Sequence, residues 1–125
     1  MKTEKFFVYG TLKVGGHFAK EFDNTRVKSM KAKVKGFDLF DLGYFPGIVP
    51  GEGTVYGELH EYKNPEKVTK AMDRIEGYNE GTDSGLYVRR KAWVEISKGK
   101  TVEANLYIFN NKLSSDSKKV DSGVW

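Results

Sequence analysis

The chain has 125 residues, of which 38% are hydrophobic and 14% are aromatic, so we expect a single domain over residues 1–125 with a real apolar core. It contains no cysteine, which excludes disulfides, a thiolate nucleophile and a cysteine zinc site. The net charge of +4 is too modest to indicate a nucleic-acid partner by itself.

The sequence shows no targeting or membrane signal. The first residues lead straight into an apolar strand pattern with no signal-peptide character. No apolar run approaches the length that spans a bilayer. We therefore expect a soluble, cytoplasmic protein without a membrane partner.

The first apolar run, residues 6–9, stops at Gly10 and predicts a strand that is buried on both faces. Glycine lets the backbone turn tightly or approach another segment closely. Backbone N–H groups held just after such a strand are potential donors to an anion or a developing oxyanion. The alternative is a core strand that ends in an ordinary turn.

The next segments predict a short helix and a long strand. Phe18 and Phe22 are four residues apart, which places them on one face of a helix. Basic residues then alternate with apolar ones over residues 26–35, as in a half-buried strand. We favour a solvated strand face over a nucleic-acid site, since no nucleic-acid-binding motif accompanies the cluster. Its basic residues are Arg26, Lys28, Lys31, Lys33 and Lys35.

The second half of the chain contains the strongest helix and hairpin signals. Asn64 and Pro65 predict a capped helix start, and Gly77 predicts its end. Residues 54–62 predict a strand, with His60 on its polar side, and residues 79–85 a solvated loop. Residues 86–96 and 101–109 alternate well around a turn and predict a hairpin. The buried helix face comprises Val68, Ala71, Met72 and Ile75.

These elements predict an α+β fold with one main helix. About six strands joined by hairpin-like connections favour a mixed or antiparallel sheet curled into a small barrel.

Glu76 is the candidate catalytic residue. It lies at the border of the apolar stripe and at the C-terminal end of the helix, where the dipole disfavours negative charge. Partial burial there raises the pKa of a carboxyl group toward the range useful for a general base. The alternative is an exposed glutamate on the last helical turn. Neither histidine shows a metal-ligand pattern, so we expect no metal site.

Seven short motifs, taken in order, resemble the γ-glutamylcyclotransferase-like family, particularly its γ-glutamylamine cyclotransferase branch. Residues 7–12 resemble its V-Y-G-[TS]-L signature, and residues 72–78 its L-D-x-x-E-G-Y motif. The tail resembles a terminal S-G-D-W, with Val124 in place of the acid. The other matching segments are residues 44–49, 53–58, 87–90 and 104–107.

This resemblance implies a small mixed α/β barrel with a pocket at one end. It implies a cofactor-independent, metal-free cyclotransferase, of lyase or acyltransferase type, acting on a γ-glutamyl amine or amino acid. The substrate's α-amine would attack its own γ-carbonyl to give 5-oxoproline and a free amine. Glu76 would move the proton, and Tyr87 and Tyr107 would line the pocket. The backbone N–H groups that would hold the substrate are those of Tyr9, Gly10, Thr11 and Leu12. The alternative is a non-catalytic protein that binds a small metabolite on the same fold.

Overall fold

In the described part of the chain, five strands close into a barrel and one helix packs against its outside. The computed structural model describes residues 3–10, 13, 22–43 and 45–125. The predicted helix around Phe18 therefore lies outside the described residues, as do Thr11 and Leu12. The elements are β1 (Thr3–Val8), β2 (Arg26–Asp41), β3 (Pro46–Lys63), α1 (Pro65–Glu76), β4 (Tyr78–Asn79), β5 (Ser84–Gly85), β6 (Tyr87–Ser97), β7 (Lys100–Phe109) and β8 (Lys118–Lys119).

The barrel strands follow the order β3-β1-β7-β6-β2, and pairing between β2 and β3 closes the ring. Strands β1 and β7 run parallel, with Phe6 opposite Asn105, whereas the other barrel pairs are antiparallel. The short β8 extends the sheet beside β2. The predicted α+β barrel with a mixed sheet is therefore confirmed, as is the β6–β7 hairpin.

The core has two layers because strand side chains alternate between the inside and the outside of the barrel. Phe7 packs in the barrel interior with Ile48, Val55 and Leu106. The neighbouring Phe6 points outward into a second cluster beneath the helix. Strand β1 is thus buried on both faces, as its unbroken apolar run predicts. The second cluster contains Phe6, Val8, Phe22, Tyr62, Val68, Met72, Tyr87 and Tyr107.

Helix α1 begins at Pro65 and ends before Gly77 as predicted, but the Asn64 side chain does not cap it. Gly77 adopts the left-handed conformation at φ 69°, and its N–H bonds to the carbonyl of Arg74 at 3.3 Å. At the other end, Asn64 is itself left-handed at φ 55°, and its side chain caps no N–H group. The predicted asparagine cap is wrong, because capping requires an extended backbone at that position. Val68 and Met72 are buried, as the helical spacing predicts.

The prediction that His60 lies on the polar side of its strand is wrong, because the side chain is fully buried. Its neighbours on the same face of β3 satisfy both ring nitrogens. The Nδ1 atom lies 2.6 Å from the Tyr62 hydroxyl, and Nε2 lies 2.8 Å from Glu58 Oε1. A histidine with two such partners is stable in a core.

Two predicted boundaries also differ from the structure. Strand β3 begins at Pro46 rather than at residue 54, and its first part pairs with β2. The predicted loop after the helix contains the small β4–β5 hairpin, in which Tyr78 pairs with Gly85. Among the described residues, no helix has the length and apolar character that a membrane span requires.

Candidate active site

Glu76 is the last residue of α1, and its side chain is partly buried. Burial raises the pKa of its carboxyl group from an ordinary value of 4.5 to about 7. Desolvation has this effect because a low-dielectric environment disfavours the charged form of an acid. The carboxyl group therefore titrates near neutral pH, where a general base is most useful.

Three of the described tyrosines lie close enough to Glu76 to respond to its charge. Burial first, and the Glu76 carboxylate second, raise the pKa of the hydroxyl groups of Tyr9 and Tyr87. For Tyr107, burial and the hydrogen bond to Asp73 raise the pKa most, and the Glu76 charge adds to them. The carboxyl group thus lies among side chains from β6 and β7 and the residue that follows β1.

Each of these tyrosines donates its hydroxyl proton to a partner other than Glu76. Tyr9 donates to the carbonyl of Tyr107 at 2.8 Å, and Tyr87 donates to the carbonyl of Pro46 at 2.5 Å. Tyr107 donates to Asp73 Oδ1 at 2.7 Å. Their donor capacity is used, so these hydroxyl groups do not stabilise the Glu76 carboxylate as donors. This agrees with the raised pKa of Glu76.

An ion pair between Asp73 and the partly buried Arg89 holds the hydroxyl group of Tyr107 in place. Asp73 lies one helical turn before Glu76 and is almost fully buried. Arg89 approaches it side-on, with Nε 2.9 Å from Asp73 Oδ1 and Nη2 3.3 Å from Oδ2. Arg89 also bonds to Glu80 and lies 5.5 Å over the ring of Tyr78. The network joins helix α1 to β6 and to the β4–β5 hairpin.

Gly10 lies at a close approach between two segments. A Cβ atom on Gly10 would lie 2.5 Å from Pro46 Cγ and 3.9 Å from Trp125 Cδ1. The end of β1, the start of β3 and the chain's last residue therefore meet at this point. The expectation of a close backbone approach at Gly10 is confirmed.

The structure brings together five of the residues that the sequence singled out. Tyr9, Tyr87 and Tyr107 lie around Glu76, and Gly10 directly follows Tyr9. Thr11 and Leu12 lie outside the described residues, so the N–H cradle predicted for them stays a prediction.

Sequence reasoning missed Asp73 and Arg89 as parts of this site. A signal for Asp73 was present, since it stands three residues before Glu76 and therefore on a neighbouring part of the same helix face. Arg89 is separated from Asp73 by 16 residues, and only the fold brings the pair together. Glu80 and Asp83, which we expected to be solvated loop residues, pair with Arg89 and Arg90.

His60 is a second buried titratable group, but its side chain has no exposed surface for a substrate. Burial lowers the pKa of its imidazole, partly offset by Glu58. In the part of the chain that the structure describes, no three histidine or carboxylate side chains are grouped to hold a metal ion. Glu76 is thus the titratable group that combines partial exposure with a pKa near 7.

Comparison with known proteins identifies the family. The model of the family described as gamma-glutamyl cyclotransferase, AIG2-like, matches residues 6–125. The chain belongs to this family. Its match to the gamma-glutamylcyclotransferase family protein YtfP of Escherichia coli is 33% identical over 121 residues, covering 97% of this chain and 95% of that protein.

Two solved structures, from Escherichia coli and Bacillus subtilis, share the fold. The solution structure of ytfP from Escherichia coli has a TM-score of 0.68 at 24% identity, covering 97% of this chain and 95% of that one. The crystal structure of YkqA from Bacillus subtilis has a TM-score of 0.71 at 25% identity. That comparison covers 99% of this chain but 40% of YkqA, which is a longer protein. The family suggests cyclotransferase activity on a small molecule.

Proposed function

We propose that this protein cyclises a γ-glutamyl amine or γ-glutamyl amino acid to 5-oxoproline and releases the free amine, with Glu76 as general acid and base. One observation carries the proposal: the Glu76 carboxyl group has a pKa raised to about 7 by burial, within a site lined by three tyrosines. The family membership supports the reaction class.

The first step requires a proton acceptor. The α-ammonium group of the substrate cannot attack a carbonyl while it is protonated, and the ionised Glu76 carboxylate takes one of its protons. The freed nitrogen lone pair then forms a bond to the γ-carbonyl carbon, closing a five-membered ring. Because both groups belong to one molecule, holding it in a folded conformation supplies much of the rate acceleration.

The second step requires a proton donor. As the tetrahedral intermediate collapses, the bond between the γ-carbon and the leaving nitrogen breaks. The ring nitrogen, which still carries two hydrogens after the attack, releases one of them to solvent as a proton. Protonated Glu76 gives its proton to the leaving nitrogen, so the amine leaves as a neutral molecule and the carboxylate is restored. A group with a pKa near 7 performs both transfers, since it gains and loses a proton with little cost at neutral pH.

The substrate's own carboxylate requires fixed donors. We assign this role to backbone N–H groups at the end of β1, because amides that follow a rigid strand form a natural anion site. These are the N–H groups of Tyr9, Gly10, Thr11 and Leu12. Tyr87 and Tyr107 shape the walls around the reacting atoms. Asp73 and Arg89 act through Tyr107 as positioning residues, since the ion pair fixes the tyrosine hydroxyl.

The experiment is a mass-spectrometric assay of 5-oxoproline release from a panel of γ-glutamyl amides and γ-glutamyl amino acids. We expect Glu76→Gln to lose at least 100-fold in kcat while remaining folded, in line with the usual contribution of general acid–base catalysis, about 10²- to 10⁴-fold. The matched control is Glu66→Gln, since Glu66 is an exposed glutamate on the same helix.

Two results would contradict the proposal. Turnover by Glu76→Gln equal to that of the unmodified protein would remove Glu76 from the mechanism. Saturable thermal stabilisation by γ-glutamyl compounds without any product would instead support a metabolite-binding protein on this fold.

A further inference from the structure

Two aromatic side chains at the edge of the site are exposed to solvent. Phe45 and Trp125, here called the aromatic rim, are 39% and 38% exposed. Phe45 lies beside one of the tyrosines around Glu76, and Trp125 lies beside the residue next to another. The ring centroids of Phe45 and Tyr87 are 6.4 Å apart. On the other side, Trp125 Cδ1 would lie 3.9 Å from a Cβ atom placed on Gly10, the residue that follows Tyr9.

Pro46 connects the two halves of the aromatic rim. It directly follows Phe45, and its carbonyl accepts the hydrogen bond from Tyr87. Its ring occupies the space above Gly10, where Trp125 also approaches. The rim is therefore continuous with the wall of the candidate active site rather than a separate surface patch.

Trp125 is held in place by the backbone that precedes it. The Tyr56 N–H donates to the Gly123 carbonyl at 2.8 Å, and Val124 forms a parallel bridge with Tyr56. Further back, the Val120 N–H donates to the Leu39 carbonyl at 2.8 Å. These bonds tie the tail to β2 and β3, so the indole is presented to the site by a fixed scaffold.

We propose that the aromatic rim binds the leaving amine of the substrate and selects amines with an uncharged, apolar substituent. This inference rests on the proposed function for the identity of the substrate. The γ-glutamyl half carries an ammonium and a carboxylate group and offers little apolar surface. An exposed aromatic surface beside the reacting carbonyl matches only the other half of the molecule.

The charges near Glu76 point to the same class of amine. Among the described residues, burial alone accounts for the raised pKa of its carboxyl group, with no contribution from a lysine or arginine. A leaving group that bears a carboxylate would thus be placed beside the Glu76 carboxylate without a counter-ion from those residues. Repulsion of this kind disfavours γ-glutamyl amino acids relative to γ-glutamyl alkylamides or arylalkylamides.

The test measures binding in the Glu76→Gln background, where no turnover interferes. Isothermal titration calorimetry would compare γ-glutamyl-benzylamide with γ-glutamyl-methylamide and γ-glutamyl-glycine. We expect the benzylamide to bind about tenfold more tightly than the methylamide, as expected for partly burying one apolar ring. When Trp125→Ala or Phe45→Ala is combined with Glu76→Gln, the ratio of the benzylamide affinity to the methylamide affinity should fall close to one.

The control is Trp93→Ala, since Trp93 is 66% exposed but lies six residues along β6 from Tyr87, about 20 Å away at ~3.3 Å per residue. It should leave the ratio unchanged. Equal binding of the two amides, no binding of either, or a ratio that survives both rim substitutions would overturn the inference.

Two further outcomes distinguish an amine-binding rim from a dimer interface and from a protein that binds without turnover. If rim substitutions convert a dimer to a monomer in size-exclusion chromatography without changing the ratio, the rim is an interface between copies of the chain and the inference is wrong. If the benzylamide binds through the rim but the unmodified protein releases no 5-oxoproline from any amide, the apolar-group site stands and the proposed cyclisation fails.

Discussion

Replacing Glu76 by glutamine should stabilise the protein at high pH while removing its activity. The pKa of the Glu76 carboxyl group rises from 4.5 in an exposed setting to about 7 in the folded chain, because folding desolvates it. The folded state therefore binds this proton more tightly than the unfolded state. As pH rises from about 4.5 to about 7, the unfolded chain loses the proton first, and stability falls.

The size of the effect follows from the pKa change. At 1.36 kcal/mol per pKa unit, the rise from 4.5 to about 7 corresponds to about 3 kcal/mol of unfolding free energy. This penalty is absent below pH 4.5, where the carboxyl group is neutral in both states, and complete above pH 7. Glutamine cannot ionise, so the Glu76→Gln variant does not have this desolvation penalty at any pH.

The assay is thermal or urea unfolding of both proteins at several pH values between 4 and 8. The difference in unfolding free energy, variant minus unmodified protein, should grow by about 3 kcal/mol across that range. At roughly 4 °C per kcal/mol for a chain of this size, the melting temperatures should separate by about 10 °C more at pH 8 than at pH 4. Because the two proteins share all other titratable groups, the contributions of those groups to the unfolding free energy cancel in the difference.

The control again is Glu66→Gln. Glu66 is exposed in the first turn of the helix, where its charge interacts favourably with the dipole. That variant should gain no stability at any pH. A Glu76→Gln difference that stays constant with pH would show that the carboxyl group is not desolvated on folding, and it would refute the electrostatic basis of the proposed mechanism.

Three other predictions concern the same site. First, kcat/KM should rise with pH on a single ionisation with midpoint about 7, because the Glu76 carboxyl group must be ionised to act as the base. Initial rates of 5-oxoproline release measure this profile, and a midpoint near 4.5 would contradict the burial of Glu76. Second, Asp73→Asn should cost about 2 kcal/mol in urea unfolding, since it leaves the partly buried Arg89 guanidinium without its main partner. It should also lower kcat, and a variant with unchanged stability and rate would show that the pair positions nothing. Third, Gly10→Ala should cost about 1–3 kcal/mol and raise KM, since its Cβ would lie 2.5 Å from Pro46 Cγ; unchanged KM would separate this turn from substrate binding.

The parts of the fold that the sequence predicted are those with strong local signals. The helix was found from its apolar spacing and from Gly77, which ends it in the left-handed conformation. The β6–β7 hairpin was found from alternation around a turn. Strand β1 was found from an unbroken apolar run, because both of its faces are covered. In each case the sequence pattern itself lies within one helix, one strand or one hairpin.

The parts that the sequence did not predict depend on distant partners. Tyr87 shares its face of β6 with the charged residues Arg89 and Lys91, yet it is buried because it packs in the second cluster. Glu80 and Asp83 resemble ordinary loop acids, and only the return of β6 brings Arg89 and Arg90 beside them. His60 is a different case, since both of its partners lie two residues away on the same strand face. The spacing of Glu58, His60 and Tyr62, two residues apart along one strand, is a sequence signal for that cluster.

The stability penalty at Glu76 and its proposed catalytic role are the same free energy measured in two ways. An exposed glutamate with a pKa of 4.5 is a weak base toward an ammonium group, and raising its pKa to about 7 makes that proton transfer less uphill by about 3 kcal/mol. Folding loses about the same amount, because the carboxylate is desolvated. A substitution that returns water to the site should therefore lower the midpoint of the pH–rate profile and stabilise the fold at pH 8 by matching amounts. Movement of one quantity without the other would show that the base that acts in the reaction is not Glu76.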